Sequence, residues 1–172
     1  VMPLLNVPLL GAIAPFGTKR SYKNKLITWL QPRSTIAEAY RALRVNILFR
    51  ETQHEESVEH TRFLAVTSSN PSEGKSITTA NLAVTFAITG MRVLLIDADL
   101  RRPSLHKQLD LSNTVGLSTL LSDKDTSIDR AIQPLVANGN LDVLTAGLTP
   151  LDPAQLLSSR RMAELMAEFE AD

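Results

Sequence analysis

The sequence predicts a protein of the α/β class, in which a mostly parallel sheet is flanked by helices. Apolar runs typical of strands occur at residues 62–68, 92–99 and 141–147. The second run lacks polar alternation, as expected of a strand buried on both faces. Helical patterns lie between and after these runs, so strands and helices alternate along the chain. With 172 residues, 44% of them hydrophobic, the chain is long enough for one domain with its own core.

The composition excludes several classes of function. The 18 basic and 18 acidic residues balance, and aromatic residues are scarce at 5%, so we expect no nucleic-acid partner. The chain contains no cysteine, which rules out disulfides, thiolate zinc sites and cysteine nucleophiles within it.

Residues 1–33 are predicted to be an irregular lead-in. Prolines at positions 3, 8 and 15 interrupt its apolar first part, and no basic segment precedes that part, which argues against a signal peptide. A basic patch follows, formed by Lys19, Arg20, Lys23 and Lys25. This patch is either part of a solvated linker or a contact with an anionic membrane surface. Because the chain begins with Val and ends in a helical pattern with no stop signal, we expect it to be a fragment.

A helix is predicted over residues 34–50. Thr35 followed by Glu38 indicates a capping box. One apolar face is formed by Ile36, Tyr40, Leu43 and Ile47. Beside it runs a polar stripe of Glu38, Arg41 and Arg44, which is typical either of solvated charges or of ion pairs with a neighbouring subunit.

The next elements form a predicted strand–helix–strand unit. A helix over 75–89, closed by Gly90, follows the run at 62–68 and precedes the run at 92–99. Such a unit predicts two parallel strands joined by a right-handed connection. Further helices are predicted over 115–123 and over 152–172, the latter begun by Asp152 and Pro153.

The loop between the first strand and its helix has the features of a phosphate-binding loop. Its sequence, SNPSEGKS at 69–76, differs from the pattern G-x-x-x-x-G-K-[ST] only in placing Ser69 at the first glycine. That position needs only a small residue. Gly74 lets the backbone approach phosphates, Lys75 brings positive charge, and the Ser76 hydroxyl can ligate magnesium. The predicted nucleotide-binding residues are Ser69, Asn70, Pro71, Ser72, Glu73, Gly74, Lys75, Ser76 and Ile77.

The strand at 92–99 ends in acidic residues. Asp97 and Asp99 lie at its carboxyl end, where open parallel sheets bind ligands. Two carboxylates one residue apart can hold a magnesium-bound water or accept a proton from a hydroxyl. Arg101 follows and could face the phosphates or pair with either aspartate. We therefore predict Lys75, Asp97, Asp99 and Arg101 as catalytic, and Ser76, Asp97 and Asp99 as metal ligands.

Taken together, these stretches resemble the bacterial tyrosine kinases of capsule and exopolysaccharide biosynthesis. The resemblance covers residues 6–172 and rests on SNPSEGKS at 69–76 as Walker A and on LLIDADLR at 94–101 as Walker A′. It also rests on EAYRALR at 38–44, which matches the E-x-x-R-x-x-R helix of that family, and on TAGLTPLDPAQLLSS. The stretches NLA and VLLIDAD are shared with partition and cell-division-site ATPases.

The resemblance implies a P-loop NTPase-like fold and an ATP- and Mg²⁺-dependent tyrosine autokinase regulating polysaccharide polymerisation and export. It implies that Asp97 is the base for a tyrosine hydroxyl, and that Glu38, Arg41 and Arg44 contact neighbouring subunits of a ring-shaped homo-oligomer. It further implies a fused transmembrane domain or a separate membrane activator, at the cytoplasmic face of the bacterial inner membrane.

By the same resemblance, residues 1–33 form a juxtamembrane-like linker, and residues 34–172 form the N-terminal part of the kinase domain. The Walker B strand is expected just after residue 172, so the sheet should be incomplete at the C-terminus, and the tyrosine-rich tail should lie outside this chain. Two alternatives stay open: a partition-type ATPase, and a chain-length regulator that binds nucleotide without turnover.

Overall fold

The computed structural model describes residues 7–16, 26–52, 63–135 and 139–171. The basic patch predicted between Lys19 and Lys25 lies outside these residues. Among the described residues, no helix combines the length and the apolar character needed to cross a membrane.

The structure contains eight helices and three strands in the described part of the chain. The helices are α1 Ile27–Leu30, α2 Thr35–Thr52, α3 Lys75–Ala87, α4 Leu105–Leu109, α5 Leu117–Ser122, α6 Ile128–Ala131, α7 Pro153–Leu157 and α8 Arg160–Ala171. The strands are β1 Val93–Ile96, β2 Ile132–Leu135 and β3 Leu141–Leu144.

The described sheet has the strand order β1-β3-β2. Strand β1 runs parallel to β3, with Val93 opposite Leu141 and Ile96 opposite Leu144. Strand β2 pairs with β3 in the antiparallel direction. The α/β class with parallel pairing is therefore confirmed, although this part of the sheet is mixed. The unpredicted strand β2 contains Pro134, which an edge strand tolerates because one side of its backbone needs no partner.

One predicted strand is wrong. Residues 63–68 form no strand, and Phe63 and Leu64 are half exposed. The parallel partner of β1 is β3 rather than the run at 62–68. A strand exists only where a neighbour completes its hydrogen bonds, and an apolar run does not specify that neighbour.

Among the described residues, the core consists of three clusters of buried side chains. The first joins α3 and α4 to strands β1 and β3. The second places α5 and α8 beside β3. The third joins α1, α2 and α3, with Tyr40 fully buried at its centre. The predicted apolar face of α2 is confirmed, because Ile36, Leu43 and Ile47 pack in this third cluster.

The start of α2 differs from the prediction. The side chain of Ser34 accepts a hydrogen bond from the amide of Ala37 at 3.2 Å, so Ser34 is the capping residue. Glu38 does not complete a capping box with Thr35, because its carboxylate is engaged by the Arg41 guanidinium. The sequence offers two adjacent hydroxyl residues, Ser34 and Thr35, and spacing alone does not choose between them.

Part of the predicted lead-in packs against the rest of the chain. The Phe16 and Tyr40 rings meet edge to face with centroids 6.3 Å apart, and Asn46 of α2 donates to the Leu10 carbonyl at 2.7 Å. In α1, the Thr28 hydroxyl and amide bond to Asn81 of α3, and both residues are buried. The domain boundary after residue 33 stays a prediction, and these contacts cross it.

Helix α5 confirms the helix predicted over 115–123, whereas α4, α6 and α1, which lies in the predicted irregular lead-in, were not predicted. The Asp152 side chain accepts from the Gln155 amide at 3.0 Å, with Pro153 in the first turn, as predicted for this start. The predicted helix at 152–172 is divided, however, because α7 ends at Leu157 and α8 begins at Arg160. Helix α3 ends at Ala87, and Gly90 follows with φ of 91°, in agreement with its predicted role as a helix stop.

Candidate functional site

The predicted phosphate-binding loop leads directly into α3. Two of its residues adopt the left-handed backbone conformation, Gly74 with φ of 92° and Ser72 with φ of 66°. Ser69 does not have a positive φ. The position that departs from the motif pattern therefore needs no glycine, whereas Ser72 adopts a conformation that costs an L-residue free energy.

A carboxylate closes the first half of this loop. Glu73 accepts hydrogen bonds from the Asn70 amide at 3.1 Å, from Asn70 Nδ2 at 2.9 Å and from the Ser69 hydroxyl at 3.2 Å. The side-chain and backbone hydrogen bonds from Asn70, followed by those from Ser69, hold the pKa of Glu73 below its ordinary value. The loop is thus held in shape by its own side chains.

The helix that follows presents unpaired amides to the loop. Within the described residues, Thr78 is the first residue of α3 whose amide is bonded, to the Gly74 carbonyl at 2.8 Å. The amides of Lys75, Ser76 and Ile77 precede this bond, at the positive end of the helix dipole. Such a helix start binds phosphate groups.

Lys75 and Asp99 join the loop to the strand end. The Lys75 ammonium lies 3.3 Å from Asp99 Oδ2, and both side chains are about one-third exposed. Burial raises the pKa of Asp99, but the Arg102 amide and the Lys75 ammonium more than offset this and lower the pKa overall. The predicted lysine and one predicted carboxylate therefore share one site.

Asp97 is more deeply placed, with 7% of its surface exposed. Its Oδ1 accepts from the Asp99 amide at 3.2 Å, while Oδ2 accepts from the amides of Ser104 and Leu105 at 3.3 and 3.1 Å. A carboxylate oxygen has two lone pairs, so Oδ1 keeps one for a ligand or a proton. These amides fix the carboxylate at the end of β1.

The Ser76 hydroxyl has a partner that the sequence did not indicate. Ser104 Oγ donates to Ser76 Oγ at 3.2 Å, and Gln108 Nε2 donates to Ser104 Oγ at 3.1 Å. Ser104 lies 28 positions from Ser76 in the chain. No motif marks such a contact, although the serine before the pattern LHKQL could have been recognised as a helix start.

Of the other predicted residues, Arg101 lies just after Asp99 in the chain, whereas Glu38, Arg41 and Arg44 lie on α2. Arg101 is exposed, and its backbone amide rather than its guanidinium is what helps to lower the pKa of Asp99. On α2, the exposed Glu38 pairs with Arg41, whose guanidinium also donates to the Pro32 carbonyl. Arg44 instead donates to the Thr85 carbonyl of α3 at 2.6 Å.

The side chains present fit a hydrated magnesium ion. Ser76, Asp97 and Asp99 offer one hydroxyl and two carboxylates, all oxygen donors, and hydroxyls and carboxylates are what Mg²⁺ prefers. Two sets of contacts bring these three residues together. Lys75, the neighbour of Ser76 in the chain, contacts Asp99. Ser104 donates hydrogen bonds both to Ser76 and to Asp97. No cluster of three or more His, Cys, Asp or Glu side chains occurs among the described residues, so the hydroxyl is a needed member of the set.

A loop that opens a helix with unpaired amides, next to a lysine, a hydroxyl and strand-end acids, defines a nucleotide-binding P-loop domain. In agreement, residues 59–169 match the family described as ParA, NUBPL iron-transfer P-loop NTPase. The chain is also 44% identical over 146 residues to tyrosine-protein kinase YwqD of Bacillus subtilis strain 168, a match that covers 85% of this chain and 59% of YwqD.

Solved structures give the same result. The chimerical protein CapA2B2 is 35% identical with a TM-score of 0.84, covering 98% of this chain and 68% of that one. The BceF tyrosine kinase domain is 31% identical with a TM-score of 0.78, covering 96% and 68%. The chain therefore belongs to the bacterial tyrosine kinase family of P-loop NTPases.

Proposed function

We propose that this chain is the nucleotide-binding part of an ATP- and Mg²⁺-dependent protein-tyrosine autokinase that regulates polysaccharide polymerisation and export. The observation that carries the proposal is the 3.3 Å contact of Lys75 with Asp99, which joins the phosphate-binding loop and the acidic strand end into one site. The named tyrosine kinase YwqD supports the reaction class. The chain spans about three fifths of the length of YwqD, at 59%, so the activity of the whole protein is part of the proposal.

The residues of the site have separate tasks in this reaction. The unpaired amides at the start of α3 bind the phosphate chain of ATP, and Gly74 leaves room for it. Lys75 exchanges its contact with Asp99 for the transferring phosphoryl group, whose charge it stabilises. When bound, Mg²⁺ neutralises charge on the phosphate oxygens, and Ser76, Asp97 and Asp99 would hold it or its waters. Asp97 Oδ1 has the lone pair that accepts the proton of a tyrosine hydroxyl.

The phosphoacceptor is a tyrosine outside the described residues. Tyr40 is fully buried, and burial raises its pKa despite a hydrogen bond with Thr78. A hydroxyl in that position does not reach a second copy of the site. We propose that the acceptor belongs to a neighbouring subunit and that Glu38 and Arg41, which are accessible on α2, contact that subunit.

We also propose that the protein works at the cytoplasmic face of the bacterial inner membrane with a membrane activator, either fused or separate. The docking of residues 7–16 on α2 supports a membrane-proximal segment that contacts the kinase domain directly.

The substitution Lys75→Met in the protein that carries this chain tests the function. Removing one strong electrostatic donor costs about 3–4 kcal/mol of transition-state stabilisation, so we expect phosphotyrosine formation to fall about 10²–10³-fold. The assay is incubation with ATP and Mg²⁺, followed by phosphotyrosine detection. Lys107→Met, at an exposed position of α4, is the matched control and should retain activity.

Three outcomes would contradict the proposal. Undiminished phosphotyrosine in Lys75→Met would exclude this site as the catalytic one. Release of phosphate without tyrosine labelling in the wild-type protein would indicate a partition-type ATPase. Nucleotide binding without any turnover would indicate a non-catalytic chain-length regulator.

A further inference from the structure

Three side chains from two helices and the segment between them form a chain of hydrogen bonds that ends on the Ser76 hydroxyl. Gln108 Nε2 lies 3.1 Å from Ser104 Oγ, and Ser104 Oγ lies 3.2 Å from Ser76 Oγ. Ser76 is in the first turn of α3, whereas Gln108 is in α4. Ser104 directly precedes α4 and joins the two.

The Ser104 hydroxyl is available for this contact because another residue caps its helix. A serine before a helix usually accepts a hydrogen bond from an amide of the first turn. Here the Ser104 side chain makes no such bond. Asp97 Oδ2 instead accepts from the amides of Ser104 and Leu105. Asp97 thereby leaves the Ser104 hydroxyl to face Ser76.

The chemistry of the three groups sets the direction of the chain. An amide nitrogen only donates, so Ser104 Oγ accepts from Gln108 and uses its own proton toward Ser76. Ser76 Oγ then accepts on one lone pair, which leaves its second lone pair and its proton directed elsewhere. A hydroxyl fixed in this way is oriented before any ligand arrives.

We propose that Ser104 is a positioning residue that orients the Ser76 hydroxyl toward a divalent cation bound with nucleotide, and that Gln108 in turn fixes Ser104. The inference rests on the proposed nucleotide site and adds how its metal-binding hydroxyl is controlled. Neither residue touches the nucleotide in this scheme, and their effect is confined to the metal.

The test is the binding of a fluorescent ADP analogue, measured in EDTA and across a Mg²⁺ titration. Loss of a group that orients a metal ligand typically weakens metal affinity about 10–100-fold, so Ser104→Ala should raise the half-effective Mg²⁺ concentration at least about 10-fold. Affinity in EDTA should stay unchanged. Ser104→Thr keeps the hydroxyl and should restore the wild-type value. Ser158→Ala, which removes a hydroxyl bonded only to a neighbouring turn in α7, is the matched control.

Gln108→Leu separates the metal effect from stability. In the described part of the chain, Gln108 Oε1 is buried without a hydrogen-bond partner, and the side chain lies among Leu26, Ile77 and Leu109. Replacement by Leu removes that unpaired acceptor, so the melting temperature should hold or rise while the Mg²⁺ requirement increases. A merely structural role for Gln108 predicts the opposite change in melting temperature.

The outcomes are distinguishable from failure of the proposed function. If the wild-type protein does not bind the analogue with or without Mg²⁺, the proposed function itself fails. If it binds and the Mg²⁺ requirement is the same in Ser104→Ala, the positioning role is refuted. An equal loss of affinity in EDTA and in Mg²⁺ would also refute it, because that result indicates a general distortion of the loop.

Discussion

Replacing Ser72 by glycine should stabilise the protein. Ser72 has φ of 66°, a conformation that costs an L-residue about 1–2 kcal/mol and costs glycine almost nothing. Glycine loses about 0.5–1 kcal/mol more backbone entropy on folding than other residues, so the net gain is about 0.5–1 kcal/mol. For a chain of this size, about 2–4 °C accompanies each kcal/mol, and we expect the melting temperature to rise by about 1–4 °C.

Ser69→Gly is the opposite case on the same loop. Ser69 does not have a positive φ, and its hydroxyl donates to Glu73 at 3.2 Å. Glycine there adds about 0.5–1 kcal/mol of entropy cost and removes a hydrogen bond worth about 0.5–1 kcal/mol. This variant completes the phosphate-loop pattern in sequence, yet it should lower the melting temperature by about 2–8 °C.

Thermal unfolding of the two variants, followed by circular dichroism, decides between these expectations. Ser72→Ala is the control, because it removes the hydroxyl and keeps the Cβ that causes the strain, so it should not reproduce the gain. The reasoning is refuted if Ser69→Gly melts at a higher temperature than Ser72→Gly, since the glycine requirement would then lie at position 69.

Two other substitutions test contacts of the loop and of the sheet. Glu73→Gln should weaken binding of an ADP analogue by about threefold at pH 7, because a charged acceptor bonds more strongly than a neutral one. Hydrogen bonds hold the pKa of Glu73 below its ordinary 4.5, so the effect of its charge on binding is complete above pH 4.5 and is lost as the pH falls through the lowered pKa. A profile of binding affinity against pH should therefore show Glu73→Gln and wild type converging at that lower pH. Gly116→Ala places a Cβ 2.3 Å from the Thr145 carbonyl oxygen and should cost about 3 kcal/mol in chemical denaturation, whereas Gly11→Ala, with Leu43 no nearer than 3.5 Å, should change stability by less than about 0.5 kcal/mol. A cost below about 1 kcal/mol for Gly116→Ala would contradict this close approach of Gly116 to the Thr145 carbonyl.

The sequence predicted best those features that depend on residues close together in the chain. Phosphate loops, helix stops and apolar faces depend on residues within a few positions of one another. The start of α3 at Lys75, the stop at Gly90 and the buried face around Tyr40 were accordingly predictable. The chemical class of the site followed too, because Lys75 opens helix α3, Asp99 follows the buried strand β1, and α3 packs against β1.

Features that depend on partners distant in the chain were not predictable in the same way. The run at 62–68 has the composition of a strand, but pairing requires a neighbour that composition does not name. Pro134 disfavours a central strand at 132–135, and the edge position of β2 in the described sheet is what makes it tolerable. The hydrogen bond from Ser104 to Ser76 likewise depends on the position of α4. That position is held by Asp97, which accepts hydrogen bonds from two backbone amides at the start of α4.

The three charged residues of α2, Glu38, Arg41 and Arg44, make two different kinds of contact within the chain. Along a helix, each step of three residues rotates the side-chain direction about the helix axis by about −60°. Glu38 and Arg44, six residues apart, therefore point about 120° away from each other. Glu38 and Arg41 accordingly pair in solvent, while Arg44 reaches inward to the Thr85 carbonyl. A subunit that binds Glu38 and Arg41 therefore contacts a helix that Arg44 ties to α3. We propose that a contact on this surface would act on α3, the helix that begins at Lys75 and presents the phosphate-binding amides.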